Sequence, residues 1–241
     1  MASPLTILKN VLNINKNCVH VSGWDQIEEV TKKYGDEFKT ESIRVHARPY
    51  KRIQNICPVC RKKCRGYDYK YDKESTWRTP DLNGLPVYIC YRPRRIQCPE
   101  HGILTEYIPW QDGNSRFTAD FNNDIAWLSG QISKSAIAIY KNINWRTVGN
   151  CIKAAHNRLE PDITNRLHGL TRICVDETSR SKGHVYITVV YDMIRNRVVW
   201  IHEGNGLEVF RLFCEALSPE ERQEIEIVAG DDAKWIDTCV K

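Results

Sequence analysis

Two short turns, separated by 37 residues, constrain this chain more than any other feature of its sequence. Cys57-Pro58-Val59-Cys60 and Cys98-Pro99-Glu100-His101 each set two soft or borderline donors three positions apart. In such a turn the backbone reverses, so both donor atoms point to one place, and two turns complete a tetrahedron. Thiolate and imidazole at that spacing suit Zn2+. The intervening stretch is too long for a compact finger and has the length of a zinc ribbon, in which β-hairpins lie between the ligand turns. Alternation over Ser42 to Ala47 and over Pro86 to Ile96 supplies strands for it. Cys64 and Cys90 also stand in this region, and either could replace His101 as the fourth ligand. Reduced, buried cysteines without metal are the plainer alternative. A metal held by four protein ligands is structural, because no coordination position stays open.

Composition narrows the class. The 241 residues are 41% hydrophobic and 27% charged, as in ordinary globular proteins. No apolar stretch approaches the ~18–20 residues of a membrane span. The start, Met1-Ala2-Ser3-Pro4-Leu5, lacks a secretory pattern. The chain is therefore expected to be cytoplasmic, and its ten cysteines are expected to be reduced. The net charge of +5 is unevenly placed: between Glu41 and Trp110 there are 14 Lys/Arg against 7 Asp/Glu, leaving −2 for the remainder. A basic segment beside a near-neutral one suits a polyanion partner. Arg92, Arg94 and Arg95 precede Cys98, with Tyr88 and Tyr91 close by; they form either a phosphate-contacting stripe or a solvated edge.

Downstream, the pattern becomes helical. Phe121, Ile125 and Leu128 fall on one face of a helix over Thr118 to Ile132, and a second helix runs from Ser135 to Tyr140. After Asn142-Ile143, Asn144 caps a third helix that buries Val148, Ile152 and Ala155. Arg146, Asn150 and Lys153 are then exposed on the opposite face. This is the pattern of a helix-turn-helix whose last helix enters a major groove of double-stranded DNA.

The last third turns to strands. The run Thr171 to Glu177 carries Asp176 near its end, then come Gly183 to Asp192 and Arg197 to Ile201, predicted as a three-stranded meander. An amphipathic helix over Leu207 to Leu217 buries Val209/Phe210, Phe213 and Leu217, and the strand Ile225 to Gly230 ends at Asp231. That order opens an RNase H-like fold, with the fourth strand parallel to the first and the acids at both C-terminal ends adjacent. Two such carboxylates, Asp176 and Asp231, would hold Mg2+ or Mn2+ for phosphoryl transfer. Glu177 and Asp232 are the competing neighbours, and Asp192 reads as a turn residue.

In this order the residues resemble the insertion-sequence L-three family of bacterial transposases. The matching stretches are Cys57 to Cys60, Arg94 to His101, Trp145-Arg146-Thr147-Val148, Val175 to Ser179 with Lys182-Gly183-His184, and Gly230 to Ile236. The resemblance implies a finger and a helix-turn-helix that recognise terminal repeats, and a catalytic triad whose first two acids are Asp176 and Asp231. The family's catalytic Glu follows a long further segment that these residues do not include. The expected architecture is α+β and multidomain: residues 1–40 of no assigned role, with a short helix over Gly23 to Val30, a zinc ribbon over 41–112, a helix-turn-helix over 113–165, and an incomplete RNase H-like domain over 166–241. The incomplete domain is expected to expose an apolar face and to aggregate or form a homodimer. The expected function is binding of insertion-sequence ends by a nucleoid-associated protein, with strand cleavage in doubt for want of a third acid. The alternative is a non-catalytic zinc-ribbon regulator or scaffold.

Overall fold

Val19 and Val21, then Ile43, Val45 and Ala47, are buried while their neighbours are not, and this period of two lays down the first sheet of the computed structural model. Residues 18–33, 36–69, 72–181 and 185–230 are described. The chain divides into two compact units, Met1–Leu159 and Glu160–Lys241. Among the described residues no helix is long and apolar enough to cross a membrane.

In the first unit, β1 (Val19–Lys33), β2 (Asp36–Pro49), β4 (Ser75–Leu82) and β5 (Leu85–Tyr91) form one sheet in the order β1-β2-β5-β4. The helix expected over Gly23 to Val30 is instead the middle of β1. Trp24 pairs with Val45, Ile27 with Ser42 and Val30 with Lys39. Gly23 and the β-branched Val30-Thr31 are poor helix formers, and pairing with a 14-residue partner strand outweighs the helix-like spacing of the acids.

A smaller sheet surrounds the two ligand turns. It contains β3 (Arg65–Tyr69), β6 (Arg94–Cys98) and β7 (Gly102–Thr105), with Ile96 buried between the cysteines. The segment expected to be one ribbon is thus shared between two sheets. The strand expected from Pro86 to Ile96 breaks at Arg92-Pro93, because proline has no N–H for the ladder. Glu106 ties the halves together. Its buried carboxylate accepts the Asn55 and Arg94 backbone N–H groups at 2.7 and 2.9 Å and the Tyr91 hydroxyl at 2.8 Å. That hydroxyl's pKa is raised by burial and by the adjacent carboxylate.

Three helices complete the unit: α1 (Ala119–Ser129), α2 (Lys134–Tyr140) and α3 (Trp145–Leu159). Thr118, Ser133 and Asn144 each cap one, accepting N–H groups of Phe121, Ala136 and Arg146. Phe121, Ile125, Ile137, Val148 and Cys151 form their shared core. The helices are fixed to β4 by a buried ion cluster. Arg78 donates to Asp81 at 2.6 Å, and Lys141 reaches Asp81 at 3.2 Å and Asp124 at 2.7 Å. Backbone bonds from Arg78 to Arg116 and from Thr118 back to Arg78 extend the β4 edge into the helical segment.

In the second unit, β8 (Arg172–Ser181), β9 (Val185–Asp192) and β10 (Arg197–Glu203) form an antiparallel meander, and β11 (Ile227–Gly230) pairs parallel to β8. The order is β10-β9-β8-β11. Between β10 and β11 run α4 (Leu207–Glu215) and the short α5 (Pro219–Glu224). Phe210, Phe213 and Leu217 pack with Ile173, Val175, Val190 and Val199 on one face of the sheet.

The ion cluster supports a stability prediction. Lys141→Ala takes this partner from Asp124 and leaves Asp81 to Arg78, and the expected loss is about 2–4 kcal/mol. Lys39→Ala removes an exposed partner of Glu28 and is expected to cost less than about 0.5 kcal/mol. Urea denaturation followed by tryptophan fluorescence measures both.

Candidate metal centre, DNA-facing surface and acidic strand

Both ligand turns use the same backbone device. The residue after each second donor adopts a positive φ, 61° at Arg61 and 72° at Gly102, which reverses the chain under the ligands. The Lys62 carbonyl accepts the Cys57 N–H at 2.9 Å, and the Cys57 carbonyl accepts the Arg61 N–H at 3.1 Å. Arg61 is an arginine in a conformation that favours glycine, and its guanidinium lies 3.9 Å from the Tyr107 ring centre.

The four donor atoms of Cys57, Cys60, Cys98 and His101 gather within 4.8 Å of one another. Cys60 Sγ lies 3.7 Å from Cys98 Sγ, and His101 Nδ1 lies 3.8 Å from Cys57 Sγ and 3.5 Å from Cys98 Sγ. Ligands ~2.3 Å from a tetrahedral ion stand ~3.8 Å apart. The observed separations fit that edge, so the four residues could hold a metal ion. The electrostatics agree. Burial pushes the Cys98 thiol up, but backbone N–H groups of Glu100 and His101 outweigh it and bring it to about 7. A backbone bond at Lys62 lowers the Cys60 thiol, yet burial and the crowding of Cys57 and Cys98 carry it up to about 11. A cation among these sulfurs relieves the crowding.

The two spare cysteines stand outside the donor group, although Cys64 packs beside Cys57 and Cys98. Cys64 Sγ donates to the Lys62 carbonyl at 3.4 Å, and Cys90 lies buried on β5, its thiol pushed up to about 11 by burial. Neither belongs to the four-residue group.

The three arginines before Cys98 are brought together, though not as bare cations. Arg92 and Arg94 lie over opposite parts of one aromatic neighbour, 4.2 and 4.9 Å from the Tyr69 ring centre. Arg94 Nε also donates to the Tyr69 hydroxyl at 2.8 Å. Arg95 forks onto Asp68, whose carboxyl it holds below the usual range, and covers Tyr67. Tyr67 and Tyr69 went unremarked in the sequence; the nearby Tyr88 and Tyr91 belong to the other sheet. The alternation Tyr67-Asp68-Tyr69 after Cys64 was the available signal.

On α3, Arg146, Asn150 and Lys153 are exposed, opposite the buried Val148, Cys151 and Ala155. Lys134 of α2 lies 5.4 Å from the Trp145 ring at the start of that face.

Asp176 was expected to close its strand. β8 instead continues to Ser181, because the β-branched run of β9 extends the ladder: Asp176 pairs with Val189, Glu177 with Thr188 and Thr178 with Ile187. Ile173 and Val175 face the α4 core, so Asp176 points to the other face, where it is exposed. Its neighbour Glu177 accepts the Gly206 N–H at 2.6 Å and so closes the N-terminus of α4. Asp192 is fully buried, accepting N–H groups of Ile194 and Arg195 and pairing with the Arg195 guanidinium at 3.1 Å. It is a structural turn residue. Asp231, Asp232 and Lys182 to His184 lie outside the described residues. In the parallel register Gly230 pairs with Val175, one residue short of Asp176.

Comparison with known proteins agrees with this geometry. A family model described as transposase, of the DDE insertion-sequence L-three type, matches residues 173–241, which begin within β8. The chain is related to insertion-sequence transposases. It is 30% identical over 230 residues to the transposase for insertion sequence element IS1557 from two strains of Mycobacterium tuberculosis, covering 95% of this chain and 50% of the relative. It is 28% identical over 198 residues to the transposase for insertion sequence element IS1001 of Bordetella parapertussis, covering 79% of this chain and 46% of that one. The chain thus spans about half the length of the curated relatives it matches. No solved structure matches.

Two measurements check the site. Cys57→Ser is expected to lose bound metal by atomic emission, whereas Cys64→Ser retains it. In the second unit, Glu177→Ala is expected to cost about 1–2 kcal/mol in denaturant titration, while Asp176→Asn stays within about 0.5 kcal/mol of the parent.

Proposed function

We propose that this chain binds the terminal repeats of an insertion sequence and carries two metal-binding acids of a transposase catalytic domain. One observation carries the reading. The helix α3 shows Arg146, Asn150 and Lys153 to solvent while its other face is locked into a unit that also holds a four-donor metal centre. An arginine or asparagine on such a helix can fork onto base edges in the major groove, and a lysine can contact phosphate. The metal is Zn2+, favoured by three thiolates and one imidazole at tetrahedral separations. Arg92, Arg94 and Arg95 extend the basic surface across the zinc module, where Tyr67 and Tyr69 hold their guanidinium groups in place.

The second unit has the strand order of an RNase H-like sheet, a meander followed by a strand parallel to its first. Asp176 is the acid we assign to Mg2+ or Mn2+, because its carboxylate is exposed on the sheet face away from α4 while that of Glu177 is engaged by Gly206. Asp231 is its partner in this reading. Bound divalent metal would activate the attacking oxygen and stabilise the leaving one. A third carboxylate is needed for that chemistry at full rate, and neither strand supplies it. With Asp176 and Asp231 alone at the site, DNA ends are expected to be bound and left uncut.

The test has two parts. Arg146→Ala and Asn150→Ala should each weaken binding to terminal-repeat duplexes by about 1–3 kcal/mol and relax sequence preference, while Asp176→Ala binds as the parent does. Incubation with Mg2+ or Mn2+ should leave the duplex intact. Cleavage that Asp176→Ala abolishes would show the chain to be a competent nuclease, and unchanged preference in the α3 variants would remove α3 from recognition.

A further inference from the structure

A cleft of about 600 Å3 lies between β4, β5 and the turn that precedes α3; Lys73, Glu74, Arg78, Tyr88, Arg116 and Ile143 are among its lining residues. It meets a second hollow of about 310 Å3, which Arg78 and Tyr88 also line, with Asn142 at its border.

The cleft is built around a buried cation. Arg78 is 5% exposed, donates to Tyr88 and Asp81, and leaves Nε without an acceptor among the described residues. Asp81 and Asp124 balance Arg78 and Lys141 within the ion cluster, so the sign of the cleft is decided at its rim. There Lys73 and Arg116 are both exposed. Arg116 lies 5.0 Å from the Trp77 ring, and neither side chain forms an ion pair with a described residue. The acid on that rim, Glu74, is already engaged by His46 at 3.1 Å. The same cleft has an apolar part to its wall, contributed by Phe117 and Ile143.

Two exposed cations and an apolar wall in one cleft suit the phosphates and the deoxyribose of a DNA strand. A free inorganic anion would make no use of the apolar wall. Position adds to this. Ile143 directly precedes Asn144, the cap of α3, so a ligand in the cleft sits beside the end of the helix that faces DNA. Phosphate contacts next to a reading helix are what fix its register on the duplex.

We propose that this cleft takes a stretch of the phosphodiester backbone of the same double-stranded DNA that α3 reads, with Lys73 and Arg116 on phosphate oxygens and Phe117 and Ile143 against the sugar between them. The inference rests on the DNA-binding reading above and adds a non-specific anchor to it.

Fluorescence anisotropy of the zinc-loaded full chain over a KCl series tests it, using a terminal-repeat duplex and a scrambled duplex of equal length. The Lys73→Ala/Arg116→Ala variant is expected to lose roughly ten-fold in affinity for both duplexes. Its slope of log affinity against log salt should fall by about 2, with sequence preference unchanged. Parental slope and affinity in that variant overturn the cleft site and leave the α3 reading intact. Absence of any salt-dependent DNA binding by the parent overturns both. Calorimetric titration with inorganic phosphate separates the sources. Stoichiometric binding that the double variant loses would assign the cleft to a free anion and overturn the DNA site. Glu74→Gln guards against misfolding, because removing an acid from the rim should tighten binding to both duplexes; weaker binding counts against the proposal.

Discussion

The arrangement of the first unit depends on four charges buried at one seam. Arg78 on β4, Asp81 at its end, Lys141 after α2 and Asp124 on α1 come from three separate stretches of chain. Charges taken out of water are tolerated only when their partners are correctly placed, so the cluster admits one docking of helices on sheet and penalises others. Because the backbone of Arg78 also bonds to Arg116 and Thr118, the same residue sets where α1 begins. The orientation of the three helices is fixed by electrostatics at the seam as well as by the apolar core they share.

The four-donor module shows how much of a candidate metal centre is set by the backbone. Two five-residue turns of matching conformation bring four donors to tetrahedral separations, with backbone N–H groups aimed at one of the sulfurs. Glu106 then joins that module to the larger sheet through three hydrogen bonds to one buried carboxylate. The ligand turns are thus built into the first unit and do not hang from it as an appendage.

Much of this was legible in the residues. Donor spacing identified the four candidate ligands, Asn144 marked the start of α3, and the run of strand, strand, strand, helix, strand anticipated the order of the second sheet. These are local signals, or ones with a fixed period. Misreadings arose where distant pairing decided the outcome. β1 looked helical because β2, the partner that makes it a strand, lies further along the chain. The expected ribbon was divided because β4 and β5 found a better surface on β2 than beside the metal. Asp176 was placed at a strand end because the ladder with β9 that carries the strand onward is not written in its own neighbourhood. The Ser218-Glu221 capping box of α5 was a local signal that could have been read and was not.

Asp176 and Glu177 stand side by side with like charge, and the pleat sends them to opposite faces for opposite purposes. One is left exposed, and the other is consumed in closing a helix. Their order carries information that their composition does not. Exchanging the two letters would conserve charge and nearly conserve volume. It would nevertheless put the shorter acid where Gly206 needs the longer one, and the longer acid on the open face of the sheet. Relatives of this chain are therefore better compared here by strand parity than by a count of acids.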